Sequence, residues 1–300
     1  MNTKIFITGG SGTIGSKLVE SLYRENNVSY TFVNHPYFAE GCTSFKLDIT
    51  ERKSTIDLIT QIKPEITIHT SALTDVDLCE TNRKLADEIN VEGTRNIVDA
   101  CKKVNSKIIY ISTSNVFNGK KNIFLEDDST CPINYYGSTK AIGERIVISS
   151  QLAFLILRTD QPYTWIKKWQ KKNFIIWLLE KIEANEVVEV FKDWYNNPTF
   201  LDNFVEATSE LMKKGKEGIY HIIGSDFINR YDWALKIVDI LGEPRSLIKS
   251  IESSQSELPA KRANANLSNI KAQKETGVNL IGVQEGLRLM FKGSNYSRND

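Results

Sequence analysis

Along the first half of the chain, short runs of apolar and β-branched residues alternate with segments whose apolar positions recur three and four residues apart. The strand-like runs fall at residues 4–8, 29–34, 44–47, 66–70, 107–112 and 154–158, and the helical period between them predicts helices starting near Gly12, Glu51, Asn82 and Tyr135. Strands that read as near-continuous apolar runs are buried on both faces, so this rhythm predicts an α/β fold with a doubly wound parallel sheet of the Rossmann kind. Beyond Thr159 the pattern changes to a Trp-rich helix at 166–185, a short strand at 187–191, helices at 201–213 and 231–241, and a strand at 219–223. Mixed structure appended after the last parallel strand reads as a smaller mixed α/β C-terminal domain over the carboxyl edge of the sheet, where such folds take their ligands. The expected division is a dinucleotide-binding domain at 1–160, a mainly substrate-binding domain at 161–292 with segments able to return to the sheet, and a polar tail at 293–300 that frays.

Composition narrows the class of partner. With 300 residues, 41% hydrophobic and 25% charged positions and a formal net charge of +1, the chain has the make-up of an ordinary globular protein, so no nucleic-acid partner is expected. No apolar stretch approaches the ~18 residues that span a bilayer, and Met1 runs almost directly into a strand, so neither a membrane nor export is expected. Cys42, Cys79, Cys101 and Cys131 form no CxxC pair, which argues against a zinc site and fits a reducing cytoplasm. Lys167, Lys168, Lys171 and Lys172 read as the wet face of the Trp-rich helix, and Trp165, Trp169 and Trp177 as a packing stripe or the surface of a homodimer.

Chemistry enters after the first strand. Gly9-Gly10-Ser11-Gly12-Thr13-Ile14-Gly15 places glycines at a strand-to-helix turn, where a Cβ would block the approach of a pyrophosphate to the backbone and to the free N–H groups of the next helix. An acidic residue ending the second strand would hold the ribose 2′-hydroxyl of NAD, but the sequence there is Val33-Asn34-His35-Pro36. NADP is therefore expected ahead of NAD, with relaxed choice, and His35 is the nearest candidate for a phosphate contact. Asp48, followed by Ile49, could accept from the adenine amino group, cap the helix near Glu51, or do both.

Tyr136 and Lys140 stand four residues apart at the start of a helix and so share a face. A phenol loses its proton near pH 10, so proton donation at neutral pH needs a neighbouring cation, which Lys140 supplies. The strand before them ends Ser112-Thr113-Ser114-Asn115, bringing hydroxyls to the carboxyl edge. Asp75, Asp77 and Glu80 read as carboxylates of a helix's first turn rather than metal ligands, and His69 and His221 lack a second ligand at metal spacing.

These motifs, with 69–77, Pro132-Ile133-Asn134 before the tyrosine, Leu157-Arg158-Thr159 and Pro259-Ala260-Lys261-Arg262, make the chain resemble the extended short-chain dehydrogenase/reductases, and among them the dTDP-4-dehydrorhamnose reductase family. The resemblance implies hydride transfer from NADPH or NADH to C4 of a nucleotide-linked 4-keto-6-deoxy sugar, with Tyr136 giving the proton, Thr113 orienting the carbonyl and Lys140 holding tyrosine and ribose. It implies a cofactor site of Gly9, Gly12, Thr13, Ile14, Gly15, Asp48, Ile49, Ser71, Ala72 and Leu73 with Tyr136 and Lys140. It further implies a substrate site of Thr113, Ser114, Asn115 and Gln161, with Lys261 and Arg262 at the diphosphate and no metal. Ser114 and Asn115 stand where the family carries Asp-Tyr, and Asp160-Gln161-Pro162 replaces an expected tryptophan, so the departures fall where relatives face the sugar. A 4,6-dehydratase would need carboxyls after the threonine; a 4-epimerase, or a noncatalytic NADP-binding subunit like that of methionine adenosyltransferase, are the alternatives.

Overall fold

A computed structural model describes residues 2–292 and 294, so the expected frayed tail lies, Ser294 apart, outside the described residues. The strands of the first half are β1 (Lys4–Thr8), β2 (Asn27–Phe32), β3 (Thr43–Lys46), β4 (Ile66–His69), β5 (Lys107–Thr113) and β6 (Phe154–Thr159), and β7 (Gly218–His221) joins them from far along the chain. They form one seven-stranded parallel sheet in the order β7-β6-β5-β4-β1-β2-β3.

Side chains alternate across the pleat, and both faces are apolar. Ile5, Ile7, Ile68, Ile109 and Leu155 pack against Leu18 and Val19 of α1 (Thr13–Leu22). On the opposite face Phe6, Ile108, Tyr110 and Ile156 meet Ile59 of α2 (Arg52–Ile62) and Ile97 and Val98 of α3 (Gly93–Val104). Each such buried side chain contributes about 1.5–3 kcal/mol, which is why the near-continuous apolar runs settle as central strands. The strand order reverses between β1 and β4, so the loops after these two strands part and leave a crevice at the carboxyl edge. α4 (Tyr135–Ile148) carries the candidate tyrosine and lysine; its first turn is capped by Asn134, whose Oδ1 accepts from Gly137 N at 2.8 Å.

The smaller lobe has its own core of Tyr163, Leu178, Trp233, Ile237 and Leu287. It is built from α5 (Phe174–Glu183), a parallel pair of strands at Val188–Phe191 and Ile248–Ile251, and, after the return described next, α7 (Arg230–Leu241). Between the two stretches the chain goes back to the sheet: Leu201, Phe204 and Leu211 of α6 (Leu201–Lys213) join the core beneath α1, and β7 follows beside β6.

The Trp-rich segment differs from its expected form. Helix begins only at Phe174, because Asn173 Oδ1 takes the N–H groups of Ile175 and Ile176 (3.1 Å each) and caps the helix there. The residues before it cross the cleft instead: Trp169 Nε1 and Gln170 Nε2 donate to Ser11 O at 3.1 and 3.0 Å, and Gln170 also reaches Ser16 Oγ at 3.0 Å. The lysines are not a uniform wet face, since Lys167 pairs with Glu20 at 2.8 Å and Lys171 with Asp75 at 2.9 Å, tying this segment to the sheet domain. Tertiary contacts override a helical period that three tryptophans happen to satisfy.

Candidate active site

A cavity of about 1100 Å³ runs from the glycine loop along the crevice to the junction with the smaller lobe. At its sheet end Gly9 has φ +65°, and a Cβ there would press on Ser71 Oγ at 2.8 Å, while a Cβ on Gly15 would collide with Gly9 O. Glycine is therefore required for the turn and for helix α1 to approach it. Gly12 occupies the N-cap position with no side-chain cap, leaving the first N–H groups of α1 open toward the cavity. Such a cradle with a positive helix end fits a pyrophosphate.

Further along the wall lie Val33, Asn34 and His35 from the end of the β2 segment, then Asp48 and Ile49. Asp48 does not cap α2: Glu51 holds the N-cap position, and Asp48 Oδ1 instead accepts from Thr50 N and Thr50 Oγ1 at 2.9 and 2.8 Å in a local turn. His35 stacks on Trp169 with ring centroids 6.2 Å apart, so the crossing segment also covers this end of the cleft.

The candidate catalytic residues come together where the loops after β4 and β5 meet α4. Tyr136, Lys140 and Thr113 all line the cavity and are 9%, 3% and 7% exposed. The Thr113 oxygen accepts from Asn115 N at 3.2 Å and from Asn115 Nδ2 at 3.1 Å, and Asn134 Nδ2 in turn donates to Asn115 Oδ1 at 2.9 Å. With its lone pairs taken, the hydroxyl is left to donate, and a hydrogen bond from Thr113 favours the ionised form of Tyr136. Burial works in the opposite sense and holds the phenol above its ordinary range, with the charges of Cys79 and Asp160 adding to it. Burial also brings the Lys140 ammonium down to about 7, partly opposed by Glu144 one turn on. Its Nζ sits 4.0 Å from the centroid of Tyr110, a favourable face for a cation.

Behind this group lies a buried polar framework, in which Tyr110 Oη has no hydrogen-bond partner. Glu144 and Arg158 are nearly inaccessible and paired through two hydrogen bonds, Nε–Oε1 at 2.9 Å and NH2–Oε2 at 2.7 Å. Ser112 Oγ adds to Glu144 at 2.5 Å. His69 bridges Thr8 Oγ1 and Thr94 Oγ1 at 2.8 and 3.1 Å, and its burial lowers the imidazole to about 3, so it is a neutral strut between β1, β4 and α3.

Of the residues expected in the two sites, Gly9, Gly12, Thr13, Ile14, Gly15, Asp48, Ile49, Ser71, Ala72, Thr113, Ser114, Asn115, Tyr136, Lys140, Gln161 and Arg262 line this one cavity. Two do not. Leu73 turns away to pack with Cys79, Ala86 and Tyr136, its backbone gripped by Asn90, whose Oδ1 accepts from Leu73 N at 2.7 Å. Lys261 is exposed, and its carbonyl, not its ammonium, is used, accepting from Asn134 Nδ2 at 2.9 Å. Arg262 reaches the cavity but its NH2 is held by Asp77 at 2.7 Å. Asp75 caps the short helix Val76–Thr81, accepting from Leu78 N at 3.0 Å.

Three residues not assigned to either expected site line the far end of the cavity: Asp160, Asn196 and Arg230. Asp160 is 3% exposed and accepts from Asn197 N at 2.8 Å and Asn196 Nδ2 at 3.3 Å. Burial raises its carboxyl to about 6 against those hydrogen bonds, one from Ser114 and the charge of Arg230. Gln161 beside it has φ +40°, a left-handed conformation rare for a side-chain-bearing residue and typical of strained functional walls. For Asp160 the available signal was its place in the Asp160-Gln161-Pro162 departure from the family pattern; Arg230 had none, since its neighbours come from distant segments.

A parallel Rossmann sheet, a glycine-lined dinucleotide cradle and a Tyr-x-x-x-Lys pair at the end of one cleft define an extended short-chain dehydrogenase/reductase architecture. The RmlD substrate binding domain model matches residues 3–295, and the chain belongs to that family. Among its relatives, the probable low-salt glycan biosynthesis reductase Agl14 of Haloferax volcanii is 28% identical over 89% of this chain and 91% of that protein. The structure of dTDP-4-dehydrorhamnose reductase from Bacillus anthracis in complex with NADP superposes with a TM-score of 0.87 at 26% identity, covering 98% of this chain and all of the other (100%). A hypothetical dTDP-4-dehydrorhamnose reductase from Sulfolobus tokodaii gives a TM-score of 0.83 at 32% identity, with 94% and 98% covered.

Proposed function

We propose that this protein is an NAD(P)H-dependent reductase that converts the C4 keto group of a nucleotide-linked 4-keto-6-deoxy sugar to a hydroxyl. The observation that carries the reading is the meeting of Thr113, Tyr136 and Lys140 at the far end of a cavity that begins in the glycine cradle. The reduced nicotinamide, when bound, supplies the hydride. The chain's own residues supply the rest. Thr113, its oxygen already engaged by Asn115, donates to the substrate carbonyl or to the Tyr136 oxygen. Tyr136 Oη gives its proton to the oxygen that gains negative charge as C4 is reduced, and Lys140, buried behind it, offsets the charge left on the phenol. Burial of all three keeps bulk water from the reacting carbon.

NADPH is the preferred donor in this reading, supported by the absence of a carboxylate among Val33, Asn34 and His35 where the adenine ribose would lie. A carboxylate there would repel a 2′-phosphate; an amide and an imidazole do not. The test is loss of reduced-nicotinamide absorbance on mixing the protein with NADPH or NADH and a dTDP-4-keto-6-deoxy sugar, with Tyr136→Phe as control. Rapid oxidation that falls at least a hundredfold in the variant supports the proposal. Cofactor binding without turnover of any nucleotide 4-keto sugar overturns it.

A further inference from the structure

The far end of the cavity holds a cation that, among the described residues, has no salt-bridge partner. Arg230, the first residue of α7, is 6% exposed and lines the cavity wall. Its guanidinium carbon lies 4.6 Å from the ring centroids of both Phe174 and Trp194 and 5.3 Å from that of Trp233, so aromatic faces surround it. Its Nε has no hydrogen-bond partner, and among the described residues no carboxylate forms a salt bridge with it. The other two arginines nearby each have a carboxylate partner: Arg158 is filled by Glu144, and Arg262, though its Nε also lacks a hydrogen bond, is paired through NH2 with Asp77. Asp160 acts on Arg230 only through space.

A guanidinium taken out of water without an acceptor is costly, and ring faces return part of that cost but offer no oxygen to its N–H fork. The arrangement is stable in the free protein yet incomplete, which is the condition of a preformed receptor. We propose that Arg230 is the receptor for an anionic oxygen group of the substrate, a sugar carboxylate or a phosphate of the nucleotide diphosphate, bound by two parallel N–H···O bonds. This rests on the nucleotide-sugar reading: the diphosphate arm keeps its 6-deoxy sugar, whereas the carboxylate arm replaces that sugar by a uronate. Three features fix the choice of an anion. The fork is planar and matches a carboxylate or phosphate edge. Burial brings the group down only to about 10, so it stays charged at neutral pH. Arg262 also approaches the Trp194 ring, at 5.3 Å, so a second guanidinium lies along the same wall and repels any cationic alternative.

The experiment is calorimetric titration of the wild-type protein, saturated with NADP, and of Arg230→Gln and Arg230→Lys. The probes are UDP and dTDP, then the glucose and glucuronate conjugates of whichever base binds. NADP affinity and the thermal midpoint, measured first, report whether each variant is folded. If the anion is the diphosphate, Arg230→Gln weakens the free nucleoside diphosphate at least tenfold and both conjugates equally. If it is a sugar carboxylate, the free diphosphate and the glucose conjugate are unchanged and only the glucuronate conjugate weakens tenfold. Arg230→Lys recovers part of the loss in either case, because it keeps the charge without the fork. Affinities for all probes within twofold of wild type in a folded, NADP-binding Arg230→Gln overturn the proposal. Failure of the wild type to bind any probe overturns the nucleotide-sugar reading itself, and Arg230 as its receptor falls with it.

Discussion

Glu144→Gln tests how the site is held from behind. The change keeps the shape of the side chain and removes one charge of a pair whose members are 3% and 2% exposed. Arg158 then retains Glu126 O at 3.2 Å and His221 Nε2 at 3.3 Å, and its guanidinium still stacks on Phe117 at 4.9 Å, but none of these carries a negative charge, and the Glu126 carboxyl acts on it only through space. Removing one partner of a buried ion pair costs about 3–5 kcal/mol, chiefly because the survivor's charge is left unanswered. In a chain of this length each kcal/mol moves the thermal midpoint by about 2 °C, so a fall of roughly 6–10 °C is expected. Circular dichroism melts of the cofactor-free protein at constant pH and salt measure it. A paired change, Glu144→Leu with Arg158→Met, removes both charges at similar volume and is expected to restore at least half of the loss. A single variant that melts within 2 °C of wild type, or a double variant worse than the single, would refute the argument that an unpaired charge is what destabilises the protein.

The Lys140 ammonium titrates at about 7 in the fold against 10.5 for the free side chain, so the unfolded chain binds the extra proton between those values and stability rises with pH across that window. Lys140→Met therefore raises the thermal midpoint most at pH 6, progressively less toward pH 10, and abolishes turnover; a gain that does not vary with pH would contradict this. Asp160 shows the opposite sign: its carboxyl is raised to about 6 from 3.8, so the folded chain holds the extra proton in that interval and stability falls as pH rises through it. The stability of Asp160→Asn relative to wild type should grow between pH 4 and 6 and level off above, as urea midpoints at each pH will show. Asn34→Asp places a carboxylate at the ribose end of the cleft and is expected to cut the NADPH-over-NADH ratio of kcat/KM at least tenfold, an unchanged ratio arguing that Asn34 does not face the 2′ position. Gly137→Ala puts a Cβ against Asn115 O and should lower kcat while leaving NADP affinity within threefold, since the clash is with the threonine loop rather than the glycine cradle.

How much of this was legible in the sequence follows from the range of the interactions involved. β1, β4, β5 and β6 could be read because each is buried on both faces, and the glycine turn and the Tyr136–Lys140 pair because their geometry is set within one turn or one helix. The strand at Ile219 could be read as a strand, but that it completes the sheet beside β6 depends on a pairing between segments 63 residues apart in sequence, Ile219 with Ile156. The segment before Phe174 was misread because one asparagine cap and two hydrogen bonds to Ser11 outweigh a periodic row of tryptophans.

The substrate end lies at the limit of such reading, and its construction explains why. Asp160 leaves the sheet on β6, Asn196 and Asn197 precede the return to it through α6, and Arg230 follows β7 at the head of α7. Each crossing between the lobes thus contributes one polar residue to the same wall, and the hydrogen bonds from Asn196 and Asn197 to Asp160 are what bring the crossings into register. A wall assembled from crossings has no local signature, yet it is tied directly to the strand that ends beside Thr113, whose partner across the sheet is Thr159. The position of Arg230 relative to Thr113 is therefore tied to the same sheet.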